Sequence, residues 1–407
     1  MKKLRRIFII GLALGLVHCA VAEDSLSVQR IGRWNGSAMT SGVAVVDTLA
    51  YVAAGSGGFK ILSIADKANP TQIGSYTTSS SALNVVVRGN YAYLACGLAG
   101  LVILNVSNPR APVLAGSYNT PGQGMDVALS GNYAYVADGQ TGLRVINISN
   151  PAAPTQTGYY ITPGNARGVS VAGNYAYIAD ESSGMRVCNI SNPNAPVSAG
   201  VYTTSNIYIT DVVVVNNYVY AADGFAGLRV INVTNPAAPT QTAVCAVAGT
   251  PSQIAVLGNL AYIASYNYGL RIVDISNLSS LHQEAYYRMT GYAYGVCPVS
   301  NFVYVAENSA CGIYDGFGLR SVPRIPQGVV MVPDSDRFGL HLIWNAVKLD
   351  TFNRPLTSLN RYVVLHCENY NEAGDSVGTV FPPDTTFAVD SAAIDRLGFY
   401  RVKAVTQ

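Results

Sequence analysis

From residue 23 to residue 320, apolar and polar positions alternate in runs of about five, cut by Gly, Asn, Asp or Pro roughly every 8–12 residues. A period of two puts successive side chains on opposite faces of a strand, and no stretch carries the 3.6-residue period of a helix. The pattern is clearest in the third unit. Asp126 to Ser130 alternates and stops at Gly131-Asn132. Tyr133 to Ala137 is a second run, Asp138 to Gly142 a turn, and Leu143 to Ile148 a third run. Ser149-Asn150-Pro151-Ala152-Ala153-Pro154 interrupts the ladder, because proline has no N–H to donate. Thr155 to Tyr160 is the fourth run.

This unit recurs. Tyrosines at the centre of the second run stand at 51, 93, 135, 177, 220, 262 and 304, spaced by 42 residues except for one interval of 43. Four strands in about 42 residues is the length of a propeller blade, so an all-β, seven-bladed β-propeller is expected over residues 23–320. Six units carry a fourth strand of the kind seen in residues 154–160, and the seventh lacks one after Gly312-Ile313-Tyr314-Asp315. Gln29-Arg30-Ile31-Gly32-Arg33-Trp34 has the fourth-strand pattern without strands of its own before it. It is expected to complete the last blade and tie the ring's open edges together.

Leu270-Arg271-Ile272-Val273-Asp274-Ile275-Ser276, with the related runs 143–149 and 228–234, resembles the LVIVD repeat of secreted bacterial and archaeal proteins, and so does the Ser-Asn-Pro loop that follows. The resemblance implies a propeller of an extracellular surface protein and brings no catalytic residues with it. Pro323 and Pro326 mark residues 321–326 as a linker. Residues 327–407 resemble a fibronectin type III domain. Leu342-Ile343-Trp344 fits its second strand, Arg361 to Leu365 its third, and Phe399 to Val405 the strand that carries the family's tyrosine. That resemblance implies a small β-sandwich, whose last strand would follow where the chain ends at Gln407.

Composition adds location. Lys2, Lys3, Arg5 and Arg6, the apolar run Ile7 to Val17 and the small residues Ala20-Val21-Ala22 read as a signal peptide over residues 1–22. Cys19 raises the rival of a lipid anchor, but His18 stands before it where a small residue is needed. A secreted, periplasmic or cell-surface protein is therefore expected. No later run is long and apolar enough for a transmembrane helix. The formal charge of +2 falls to about −2 without the four basic residues. A near-neutral chain with no basic tract argues against nucleic acid or anionic lipid as partner. The six later cysteines recur at no fixed repeat position and form no CxxC, which disfavours a disulfide framework or a zinc site. Cys297 and Cys311, in one blade, are the single pair to test for a bridge.

Three groups of residues carry candidate chemistry. Nine positions before each anchor tyrosine, at the start of the innermost strands, come Gly42, Asn84, Asp126, Gly168, Asp211, Gln253 and Gly295. Asp126 and Asp211 are candidate ligands for Ca2+, with Asn84 and Gln253 adding carbonyl oxygens; a structural role in turns or channel water is the competing reading. Asp138, Asp180 and Asp223 each have an arginine six residues on, at Arg144, Arg186 and Arg229, and Glu307 takes the acidic place in the seventh unit. The spacing puts each pair across one hairpin, which fits ion pairing within the blade or a charged ring that grips an anionic or sugar ligand. Tyr208, Phe225, Tyr266, Tyr268, Tyr292 and Tyr294 cluster on the variable loops of blades five to seven. Exposed rings there would stack on sugars or anchor a protein; packing between blades is the alternative.

The chain has no GxSxG elbow, HExxH or phosphate-binding loop. The expected function is that of a non-catalytic binding or scaffold protein that presents one propeller face to a protein or glycan, without a cofactor. The alternative is a polysaccharide-active hydrolase or lyase that uses the channel acids.

Overall fold

The computed structural model describes residues 28–315 and six strands beyond them. The described residues contain no helix, so none is long and apolar enough to cross a membrane. Seven four-stranded antiparallel sheets make up residues 30–315. In blade three the order is Asp126–Ser130, Tyr133–Ala137, Leu143–Asn147, Thr155–Tyr160, which is the order in the chain. Blades one to six all run this way. Blade seven contains Ala293–Val299, Phe302–Glu307 and Ala310–Asp315, and Arg30–Asn35 is paired antiparallel beside Ala310–Asp315, with Trp34 opposite Cys311.

Turn chemistry explains why each unit folds back on itself. Gly142 ends the second turn of blade three at φ 81°, and a Cβ there would collide with the Tyr160 carbonyl. Only glycine fits that close approach in a left-handed conformation. Gly158 is needed for a different reason. It lies against the Pro193 carbonyl in the Ser-Asn-Pro loop of the next blade, so the outer strands pack backbone to backbone between blades.

The core is a ring of apolar clusters, each shared by two neighbouring blades. Tyr135, Ala137, Leu143 and Val145 of blade three meet Val169, Ala176, Ile178 and Cys188 of blade four. The cluster between blades seven and one joins Tyr304, Ala306, Cys311 and Ile313 to Val43, Ala50, Val52 and Leu62. Every anchor tyrosine is buried in one of these seams. Burial of such a side chain stabilises by roughly 1.5–3 kcal/mol, so the periodic tyrosines are the main sequence mark of the inter-blade core.

Cys297 and Cys311 are free thiols. The register explains why. Cys297 stands opposite Tyr304 and Cys311 opposite Ala306 on the other side of the same central strand. Two strand spacings separate them, about 9–10 Å, beyond the roughly 7 Å a disulfide can bridge. Burial pushes the Cys297 thiol up to about 11.

The last six strands form two three-stranded antiparallel sheets, in the orders Val330–Pro333, Leu340–Ile343, Thr386–Val389 and Asp375–Val380, Arg361–Cys367, Phe399–Val405. Residues 1–27 and the linker at 321–326 lie outside the described residues, as does Trp344.

Candidate functional site

In blades one to four and six, the turn between the second and third strands bridges to the connection that enters the next blade. Examples are Gly55 with Ala82, Glu181 with Ile209 and Tyr266 with Ala293. These turns and connections therefore share one rim, and the innermost strands begin there.

At the channel mouth the polar ring binds blade to blade. Asp126 accepts the Val127 N–H at 2.7 Å and, with its other oxygen, the Val169 N–H of blade four at 2.8 Å. Asp211 repeats the arrangement with Val212 at 2.8 Å and Ile254 of blade six at 2.9 Å. Gln253 accepts the Val296 N–H of blade seven at 2.8 Å, and the Asn84 amide donates to Asp126. The glycines of this ring have a steric cause: a Cβ at Gly168 would lie 2.5 Å from an Asp211 carboxylate oxygen. Burial raises both carboxyl pKa values, and the charge of Asp126 raises that of Asp211 further. Four of the residues picked out as possible ligands thus hold neighbouring strands in register.

The second ring is also paired internally. Asp138, Asp180 and Asp223 are fully buried. Arg144 lies 3.4 Å from Asp138 and Arg186 lies 3.5 Å from Asp180, while Arg229 contacts Asp223 directly. Asp180 also accepts the Thr162 hydroxyl at 2.6 Å and the Gly164 N–H at 3.0 Å. Carboxylates this enclosed cannot meet a solvent-borne ligand. Glu307 takes its cation from outside the unit: Arg33 of the N-terminal strand lies 3.2 Å away, and Tyr314 donates its hydroxyl at 2.6 Å. Sequence spacing alone did not single out Arg33, because it is far from Glu307 along the chain.

The aromatic residues fall into two groups on the rim of blades four to seven. Tyr208 and Phe225 meet edge to face at 6.0 Å. Tyr266 packs against Tyr294 at 5.6 Å and Tyr292 at 6.4 Å. Phe225 is 71% exposed and Tyr292 48% exposed, so rings in both groups face solvent. Tyr268 stands apart from both, next to the Arg271 guanidinium at 5.6 Å.

Between the two groups lies a polar centre that the sequence did not single out. Glu181 accepts from Arg167 at 3.0 Å and from Asn165 at 3.0 Å, and the Tyr208 hydroxyl binds the same carboxylate. Partial burial opposes ionisation of Glu181, but these three donors outweigh it and lower its pKa. Burial disfavours the charged form of Arg167, but the bond to Glu181 and the nearby Tyr266 and Tyr208 hydroxyls raise its pKa overall. The surface therefore joins stacking faces to an ionised pair that can give and take hydrogen bonds.

A signal for this centre was present in the repeat. Glu181, Tyr266 and Asn308 stand where blades one, two and three have Gly55, Gly97 and Gly139. All six positions are left-handed, with φ 47° at Glu181, 30° at Tyr266 and 44° at Asn308. That conformation costs a residue with a Cβ about 1–2 kcal/mol, and strained backbone of this kind gathers at functional surfaces. An open groove of about 660 Å³ lies elsewhere, lined by Thr77–Ser80 and Leu98. It has no charged lining residue and no strained backbone, so the aromatic rim is the better candidate.

The profile of the family described as LVIVD repeat matches residues 36–78, 79–120, 121–162, 163–204, 208–246 and 248–287, more than half of the chain. No curated protein matches the chain in sequence. Among solved structures, the chain is similar to the crystal structure of the computationally designed Ika8 protein in its first P63 packing. The identity is 9% and the TM-score 0.55, over 70% of this chain and 99% of that one. At that identity the likeness concerns the fold alone.

Proposed function

We propose that this chain, which belongs to the LVIVD repeat family, is a non-catalytic binding protein of the cell exterior that holds a glycan on the rim of blades four to seven. The observation that carries this reading is the placing of Glu181 and Tyr266 at left-handed positions that glycine fills in three other blades. Backbone strain is retained there at the two residues that supply the charge and one of the rings. Sugar rings present flat C–H faces to aromatic side chains and hydroxyls to charged groups. Phe225, Tyr292 and Tyr294 supply the former, and Glu181, Arg167 and Asn165 the latter.

Location outside the cytoplasm rests on the signal-peptide pattern of residues 1–22. The role of Arg30–Asn35 as the closing strand is supported by its pairing with Ala310–Asp315 and by the Arg33–Glu307 contact. A fibronectin type III-like sandwich over residues 327–407 is supported by the pairing orders of its six strands. Such a domain would serve as a stalk.

The test is a glycan array probed with the mature protein. A specific set of sugars should bind, and Phe225→Ala or Tyr292→Ala should weaken that binding by about tenfold, since loss of a stacking ring removes roughly 1–3 kcal/mol. Absence of binding to any glycan, with capture of a surface protein in its place, would overturn the glycan assignment.

A further inference from the structure

We propose a second site, unrelated to the rim: a divalent-metal site of the zinc class on the outer hairpin of blade six, held by Asp274, His282 and Glu284. The hairpin joins Leu270–Asp274 to His282–Tyr287, with Asp274 directly opposite His282. A β-bulge between Ile272 and Val273 leaves Glu284 as the extra residue of the outer strand, and bulges re-aim side chains. One ligand atom from each of the three residues lies within 4.8 Å of the other two.

The imidazole is held between a backbone carbonyl and the Glu284 carboxylate. Its Nδ1 faces the Ser280 carbonyl at 3.3 Å and its Nε2 faces a Glu284 carboxylate oxygen at 2.8 Å. In the tautomer whose Nδ1 donates to the carbonyl, the lone pair of the neutral ring lies on Nε2 and faces the Glu284 carboxylate, a place that a proton or a metal ion can fill.

Charge balance points the same way. Asp274 is 7% exposed and the Glu284 side chain 9% exposed. Among the described residues, neither carboxylate has a lysine or arginine within ion-pair distance, and His282 is the one basic group beside them. Two carboxylates beside one exposed imidazole leave a local excess of negative charge that a bound cation would balance.

The rest of the propeller shows that the fold does not require this set. The same three positions hold Asn105, Val113 and Ala115 in blade two, Asn147, Thr155 and Thr157 in blade three, and Asn232, Thr240 and Thr242 in blade five. Asn147 accepts the Ser149 N–H at 2.9 Å just as Asp274 accepts that of Ser276 at 2.7 Å. The turn is therefore served equally well by a neutral amide, and the charge of Asp274 has no task in it. One imidazole nitrogen and two carboxylate oxygens, with water to complete the shell, suit Zn2+ and similar borderline ions rather than the all-oxygen preference of Ca2+.

The experiment is a Zn2+ titration of the mature full chain by calorimetry, with Co2+ absorption as a second readout of coordination. The parent should bind one equivalent that Glu284→Gln and His282→Ala each weaken at least about tenfold. Melting curves of both variants should stay at the parental value, because both residues lie on an outer edge strand. If the parent shows no saturable binding, or if the variants bind as the parent does, the site is wrong.

Discussion

Asp211 lies within the channel ring with both carboxylate oxygens taken by backbone N–H groups, yet burial and the Asp126 charge raise its pKa. A carboxyl whose pKa is higher folded than unfolded favours the fold most when protonated. Its contribution is full below the unfolded value near 3.9 and falls as pH rises through the folded value. Asp211→Asn cannot titrate. The stability difference between variant and parent, taken from thermal melts, should move in the variant's favour as pH rises from about 4 to about 8, by about 1.4 kcal/mol for each unit of raised pKa. A difference that stays constant with pH would contradict the assigned shift. At this scale the sequence was partly legible. The anchor tyrosines and the Asp–Arg pairs could be read because repetition marks them. Glu181, Arg167 and Asn165 could not, because their meaning comes from two connections meeting on one rim. The breaks at Glu181 and Tyr266 in a position that is glycine in blades one, two and three were the available clue.

Among the elements, the N-terminal strand has the largest consequence. Gly32 approaches the Lys67 carbonyl of blade one, just as Gly158 approaches the Pro193 carbonyl between blades three and four. Ile31 and Trp34 pack against the core between blades seven and one. Arg33 neutralises Glu307, which is 1% exposed. Deletion of residues 26–36 should therefore lower stability by at least about 3–5 kcal/mol, the cost of leaving one buried charge without its partner. Thermal unfolding checks this, and a transition that hardly moves would show that the ring does not need the strand. Strand order, strand length and this pairing could be anticipated from alternation and turn residues, because both follow from local sterics. The bulge in each outer hairpin could not, since it appears only when two strands are set in register. The Trp344 assignment falls on a residue outside those described.

At the scale of the whole molecule, seven nearly identical blades give a closed ring with a continuous apolar seam between neighbours. Such a ring is stable through repetition, which frees individual rim positions to depart from the repeat. Departures that cost backbone strain and converge in space are the ones to associate with function. Glu181 is the clearest, because its replacement by the glycine of blades one, two and three should spare the fold and weaken ligand binding. The most direct test is Glu181→Gly, measured for melting temperature and for affinity to the glycan selected on the array. Stability should stay within about 1 kcal/mol of the parent, because relief of the left-handed strain offsets the loss of the hydrogen bonds from Arg167, Asn165 and Tyr208, while glycan binding should weaken at least about tenfold. Undiminished glycan binding would contradict the rim site.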